Sequence, residues 1–194
     1  LRLLSEVVGA VMYFAAKYNV DELFYKATHD AMTGLANRAF YIERLRNTLA
    51  LHRRDKRPAS VLMIDMDGLK HLNDSYGHRV GDAAIMEVAR RLTACARESD
   101  TVARFGGDEF GMIFSPVDLP DGGEMLMHRI EDEIARPLQF EGHSYALSAS
   151  VGMAELPADG LDVDSLLETA DRRMYRVKRL HHGEKGAGGL SSCA

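Results

Sequence analysis

A continuous apolar run, Val61-Leu62-Met63-Ile64, ends abruptly in Asp65-Met66-Asp67. A run without alternation belongs to a strand covered on both faces, which places Asp65 where that strand leaves the core. Thr101 to Arg104 and Phe110 to Phe114 are β-branched or aromatic enough to be strands, and the short glycine-containing link between them predicts a β-hairpin. The rest of the pattern predicts a helix to about Arg54, a loop through Pro58, a strand over 60–65 and helices near 71–78 and 82–97. A helix over 123–135, strands over 137–140 and 145–153, and a helix over 164–181 follow. Sheet plus covering helices gives an α/β domain packed in two layers, not a doubly wound one.

Upstream, Leu1, Leu4, Val8, Val11, Ala15 and Tyr18 keep an a/d spacing over about two and a half heptads. Residues 1–28 therefore read as a separate helix, which either packs on its own domain or pairs as a short coiled coil. Arg2, Glu6 and Lys17 bound an apolar stretch too short to cross a membrane. The chain starts at Leu1 and is expected to be cut from a longer protein or matured. Residues 29–182 form the main domain, and 183–194 read as a mobile tail.

Composition narrows the possible ligands. At 194 residues and 46% hydrophobic, the chain suits one globular domain of about 160 residues with appendages. A net charge of −5 argues against a general nucleic-acid surface, so an anionic ligand must rely on local Lys and Arg or on a metal. Cys95 and Cys193 predict no disulfide and fit a reducing cytoplasm, and the eight histidines show no zinc spacing. No Gly-Lys-Ser/Thr loop occurs, which excludes a P-loop enzyme.

The candidate chemistry sits at the ends of the predicted strands. In Arg104-Phe105-Gly106-Gly107-Asp108-Glu109-Phe110, the two glycines remove Cβ atoms where a triphosphate must come close, and the two acids are expected on opposite faces of the second strand. Alone, this is equally a tight turn with solvated acids. Asp65 supplies a partner, because Mg²⁺ takes one or two protein carboxylates together with substrate phosphates. Asp65 would equally serve as a turn or cap residue beside Asp67-Gly68.

Five segments in order resemble the GGDEF domain, the diguanylate cyclase family: His29 to Arg38, Asp65 to Asp82, Phe105 to Phe110, Ser150-Val151-Gly152, and Ala170-Asp171 through Lys178. The resemblance implies a nucleotide-cyclase or palm-like fold with a mainly antiparallel central sheet flanked by helices. It implies condensation of two GTP into cyclic di-GMP with release of two pyrophosphates, by a homodimer. Mg²⁺ or Mn²⁺ is the implied cofactor, about two ions per site. By resemblance, Asp65, Asp108 and the Met66 carbonyl hold metal, and Glu109 either helps deprotonate the ribose 3′-hydroxyl or adds a metal contact. Lys70 and Lys178 become phosphate counter-charges, and Gly68, Leu69, Gly106 and Gly107 line the substrate. Asn73 and Asp82 become guanine readers, since a carboxylate accepts from guanine N1 and N2 together. On their own, Asn73 reads as a loop residue and Asp82 as a helix N-cap before Ala83.

Five residues separate Asp100 from Gly106, so Arg97-Glu98-Ser99-Asp100 resembles the family's product-inhibition site, with a solvated helix-end charge pair as the other reading. The family's Lys-x-x-Gly-Arg/Lys-Asn pattern becomes Lys178-Arg179-Leu180-His181-His182-Gly183. His182 thus stands where a phosphate-binding arginine or lysine is expected, and Arg179 or Lys185 would have to substitute. A cytoplasmic catalytic domain is expected, in a parent protein that is either soluble or membrane-attached, with its sensory domain outside this chain. The alternative is a silent GGDEF module that binds GTP or cyclic di-GMP and signals through its N-terminal helix.

Overall fold

The structure, a computed structural model, describes residues 20–115 and 123–187, with side chains as far as His181. The proposed a/d series of Leu1 to Tyr18, His182 and Cys193 lie outside the described side chains. After a helical stretch over 20–28 (α1), the elements run β1 (Ala36–Asn37), α2 (Arg38–Asp55), β2 (Ala59–Met66), α3 (Leu69–Tyr76) and α4 (His78–Cys95). Then come β3 (Thr101–Gly106), β4 (Glu109–Phe114), α5 (Glu124–Ala135), β5 (Leu138–Phe140), β6 (His143–Tyr145), β7 (Ala149–Leu156) and α6 (Val163–Ala187).

The central sheet has the order β1-β3-β4-β2-β7, antiparallel except for the short β1–β3 pair. β2 is the inner strand that the apolar run predicts. Its alternation divides the core: Leu62, Ile64 and Met66 pack with Val88 and Leu92 of α4 and Ile130 of α5. Val61 packs on the opposite face with Tyr41 and Leu45 of α2 and Leu166 of α6. Helices therefore cover both faces of this strand, and Asp65 leaves on the α2/α6 side.

Some boundaries differ from the sequence reading. The strand expected over 145–153 is two strands, β6 and β7, and β6 pairs with β5 in a separate hairpin. Helix α4 starts at His78 after Gly77, so Asp82 lies within the helix and is not its N-cap. Gly77 adopts φ 87°, so the chain turns there and no side-chain cap is used. Helix α6 continues to Ala187, past the expected end at 181.

Candidate active site

The acids of β2 reach the end of the sheet in a crowded, negatively charged corner. Asp65 is 5% exposed and is the direct cross-strand partner of Glu109, so both side chains project from one face. The Met66 N–H donates to the Asp108 carbonyl at 3.0 Å, tying the hairpin turn to the end of β2. Asp108 lies in that turn and not on the strand; only Glu109 begins β4. The cause is local: Gly106 and Gly107 have φ of 132° and 55°, and the register shifts between Arg104 and Gly106.

Buried Arg104 holds this turn from beneath. Its guanidinium donates to the Gly107 carbonyl at 2.9 and 3.3 Å and to Asp30 Oδ1 at 3.0 Å. The same Asp30 oxygen accepts from the Thr33 N–H at 2.9 Å and hydroxyl at 2.6 Å. Burial acts to raise the Asp30 carboxyl, but these bonds and the Arg104 charge hold it below the usual carboxylate range. The Asp30-x-x-Thr33 motif is thus a brace for the hairpin.

Helix α6 crosses the same face against Gly152 of β7. A Cβ at Gly152 would sit 2.1 Å from the Ala170 carbonyl oxygen and 2.2 Å from the Met174 nitrogen, so helix and strand touch backbone to backbone. This approach brings Lys178 Nζ within 2.8 Å of Asp65 Oδ1. Burial pushes the Asp65 carboxyl above its usual range, the Lys178 bond opposes the rise, and the Asp108 and Asp67 charges add to it. Burial acts to lower the Lys178 ammonium, yet the bond to Asp65 and the charges of Asp108 and Asp67 carry it above the usual lysine value. The charges of Asp108 and Asp67 contribute to both shifts, behind burial for Asp65 and behind the Asp65 bond for Lys178.

On the other side of β2, Gly68 turns the chain with φ 73° into α3, so exposed Lys70 lies in the first turn beside buried Leu69. A cleft of about 250 Å³ opens here, lined by Asp67, Gly68, Leu69 and Leu147 among others. Asn73, on α3 and not in a loop, packs against α4: a Cβ on Gly81 would fall 1.8 Å from Asn73 Oδ1. That oxygen is buried and has no hydrogen-bond partner among the described residues. Exposed Asp82 follows Gly81 directly, so the fold brings Asn73 and Asp82 together across the α3–α4 contact.

A family profile described as "Diguanylate cyclase, GGDEF domain" matches residues 27–184. The chain belongs to the GGDEF family. The bifunctional diguanylate cyclase/cyclic di-GMP phosphodiesterase MucR of Pseudomonas aeruginosa is 40% identical to this GGDEF chain over 81% of it and 23% of MucR. Diguanylate cyclase TpbB of the same organism is 37% identical over 84% of this chain and 38% of TpbB. The chain thus spans well under half the length of these relatives. The coiled coil and GGDEF domain of DgcB from Caulobacter crescentus, solved in complex with c-di-GMP, superposes with TM-score 0.80 at 27% identity, covering 92% of this chain and 95% of that one. The GGDEF domain of TpbB superposes with TM-score 0.76 at 35% identity, covering 78% and 89%.

The donor set of this GGDEF domain suits a metal that arrives with its substrate. No group of three or more His, Cys, Asp or Glu stands in metal-binding geometry among the described residues. The two carboxylates and main-chain carbonyl that the sequence reading expects as ligands would leave half of an octahedral shell to phosphate oxygens and water, a donor set compatible with Mg²⁺ or Mn²⁺. Away from this corner, Arg97 and Asp100 form a self-capped turn: the Arg97 N–H donates to Asp100 Oδ2 at 2.8 Å, and the Asp100 N–H to the Arg97 carbonyl at 3.0 Å. Their turn precedes β3 and Gly106 ends it, which puts Asp100 and Gly106 roughly 20 Å apart at strand rise.

Three residues here escaped sequence reasoning. The Asp67 carboxylate is 1% exposed and accepts from the Ser150 hydroxyl at 2.8 Å and from His181 Nδ1 at 2.9 Å. Asp67 is legible only as a turn residue before Gly68, and only the α6 crossing gives it partners. Among the described residues, no helix is long and apolar enough to cross a membrane.

Proposed function

We propose that this GGDEF domain is a diguanylate cyclase that joins two GTP molecules into cyclic di-GMP. The observation that carries the reading is the corner of Asp65, Asp108 and Glu109, with Lys178 against it and an orphaned Asn73 oxygen nearby. In the reaction, the 3′-oxygen of each nucleotide attacks the α-phosphorus of the other. Two phosphodiester bonds form, two pyrophosphates leave, and the two hydroxyl protons pass to solvent.

Each part of the chain has a task in this scheme. Asp65, Asp108 and the Met66 carbonyl would hold Mg²⁺ or Mn²⁺, which would acidify the attacking hydroxyl and neutralise phosphate charge when bound. Glu109, on the face of Asp65, adds a metal contact or steers the hydroxyl proton. The amide groups opening α3, with Gly68, Leu69 and Lys70, receive phosphate at a helix N-terminus. Gly106 and Gly107 have open space above them, so phosphates can approach the backbone. Lys178, held by Asp65 in this structure, would turn to phosphate oxygens when that carboxylate serves a metal. Asn73 Oδ1 and the Asp82 carboxylate accept from guanine, and a base without those donors would leave the buried Asn73 oxygen unpaired.

One domain holds one GTP, so the product requires two copies facing each other. The Arg97–Asp100 turn is the proposed product-inhibition site, a role supported by the planar fork of arginine. The domain is expected to work in the cytoplasm, where GTP is supplied. Product formation from GTP and Mg²⁺, followed across protein concentration, tests the reading. Specific activity that rises with concentration is expected, whereas nucleotide binding without product at any concentration would establish the silent module instead.

A further inference from the structure

Asp65 near the end of β2 and Asp67 in the turn just past it lie two apart, while Lys178 and His181 lie three apart on one face of α6. The two pairs meet in register: Lys178 Nζ on Asp65 Oδ1 at 2.8 Å, His181 Nδ1 on Asp67 Oδ2 at 2.9 Å. Asp67 is fixed from behind by the Ser150 hydroxyl, and its own N–H donates to the Ser148 carbonyl at 2.9 Å. It is therefore a rigid, buried acceptor. With the carboxylate oxygen as acceptor, Nδ1 carries the hydrogen of this bond.

The position of His181 along the helix gives the bond its importance. Met174, against Gly152, is the last buried residue of α6 among those described. Beyond it, Tyr175, Arg176, Arg179 and Leu180 are exposed, and only Val177, Lys178 and His181 remain half-buried. A helical stretch with few buried contacts opens locally unless it is anchored. We propose that His181 is a positioning residue for triphosphate binding: by fastening this exposed stretch of α6 to Asp67, it keeps Lys178 over the phosphate site. The proposal rests on the GTP reading above.

The test uses 3′-deoxy-GTP with Mg²⁺, which binds as a triphosphate but lacks the attacking hydroxyl, and guanosine as a probe without phosphates. The loss of a group that orients a binding residue is expected to weaken affinity about 10-fold or more, so His181→Ala should weaken 3′-deoxy-GTP by that factor and leave guanosine unchanged. His181→Asn, whose amide can donate to Asp67 in place of Nδ1, should restore affinity to within about threefold. In a Lys178→Ala background, His181→Ala should add less than about twofold, because residues acting through one contact are non-additive. Equal loss for both probes, full additivity with Lys178→Ala, or no rescue by asparagine would each overturn the proposal. The two readings fail separately. A wild-type protein that binds 3′-deoxy-GTP through Lys178 but makes no product from GTP overturns the cyclase and leaves the anchor standing. Turnover that is normal in His181→Ala, with unchanged 3′-deoxy-GTP affinity, overturns the anchor alone.

Discussion

At the scale of single residues, charge and free space carry the functional argument. Asp108→Ala removes a carboxylate whose charge reaches Asp65, and Glu109→Ala removes the acid facing it. Each is expected to lower cyclic di-GMP formation by at least about 10²-fold, as for other groups at a reacting centre. Chromatographic quantification of product from purified protein checks this, and substantial product from either variant would remove the role of that residue. Gly81→Ala makes a sharper point, because its Cβ would overlap Asn73 Oδ1 at 1.8 Å. Asn73 must move, so GTP KM should rise about tenfold or more while kcat changes less, and competition by ATP should become measurable. The pattern of carboxylates and glycines was legible in the sequence. The roles of Asp67, Ser150 and His181 were not, because each depends on a partner more than thirty positions away: the bonded pairs lie 83, 31 and 114 positions apart.

At the scale of elements, the site depends on how a helix and a hairpin are held to the sheet. Gly152→Ala would push α6 off β7, since the obstacles are the Ala170 and Met174 backbone and not a flexible side chain. Overpacking of this kind costs about 1–3 kcal/mol and at times more, measurable by urea unfolding, and it should lift Lys178 from Asp65. Arg104→Ala leaves Asp30 without its guanidinium and the Gly107 carbonyl without its donors. Breaking a buried pair costs about 3–5 kcal/mol, less where a partner is partly exposed as Asp30 is. Activity should fall with stability, because the loosened turn carries Asp108. The elements themselves were largely readable: β2, the β3–β4 hairpin, α2, α5 and α6 follow from apolar runs, periodicity and glycines. The short pieces were not. β1 has two residues and owes its existence to parallel pairing with β3, and β6 exists through pairing with β5.

Over the whole molecule, an ion-pair cluster on α4 that also ties α4 to α5 shapes the response to acid. Glu87 on α4 bonds Arg90 and Arg91, and Arg91, 5% exposed, reaches the Ile134 carbonyl in the last turn of α5 and the Pro137 carbonyl beyond it. The Arg90 bond, opposed by burial and aided by Arg91, lowers Glu87 from 4.5 to about 2. A depressed carboxyl contributes stability above its unfolded pKa and loses it as pH falls through the folded value. Folding stability should therefore decline between pH 4.5 and about 2, and Glu87→Gln should flatten that part of the profile in urea titrations at stepped pH. Sequence by itself determined the strands and helices that local pattern encodes, the acid-tipped central strand, the glycine turn and the family, because backbone propensity and side-chain alternation act over a few residues. Only the tertiary structure decided which charges meet. Lys178 reaches Asp65 and His181 reaches Asp67 because a glycine at 152 lets α6 lie directly on the sheet, a contact between segments remote in sequence that local pattern does not specify.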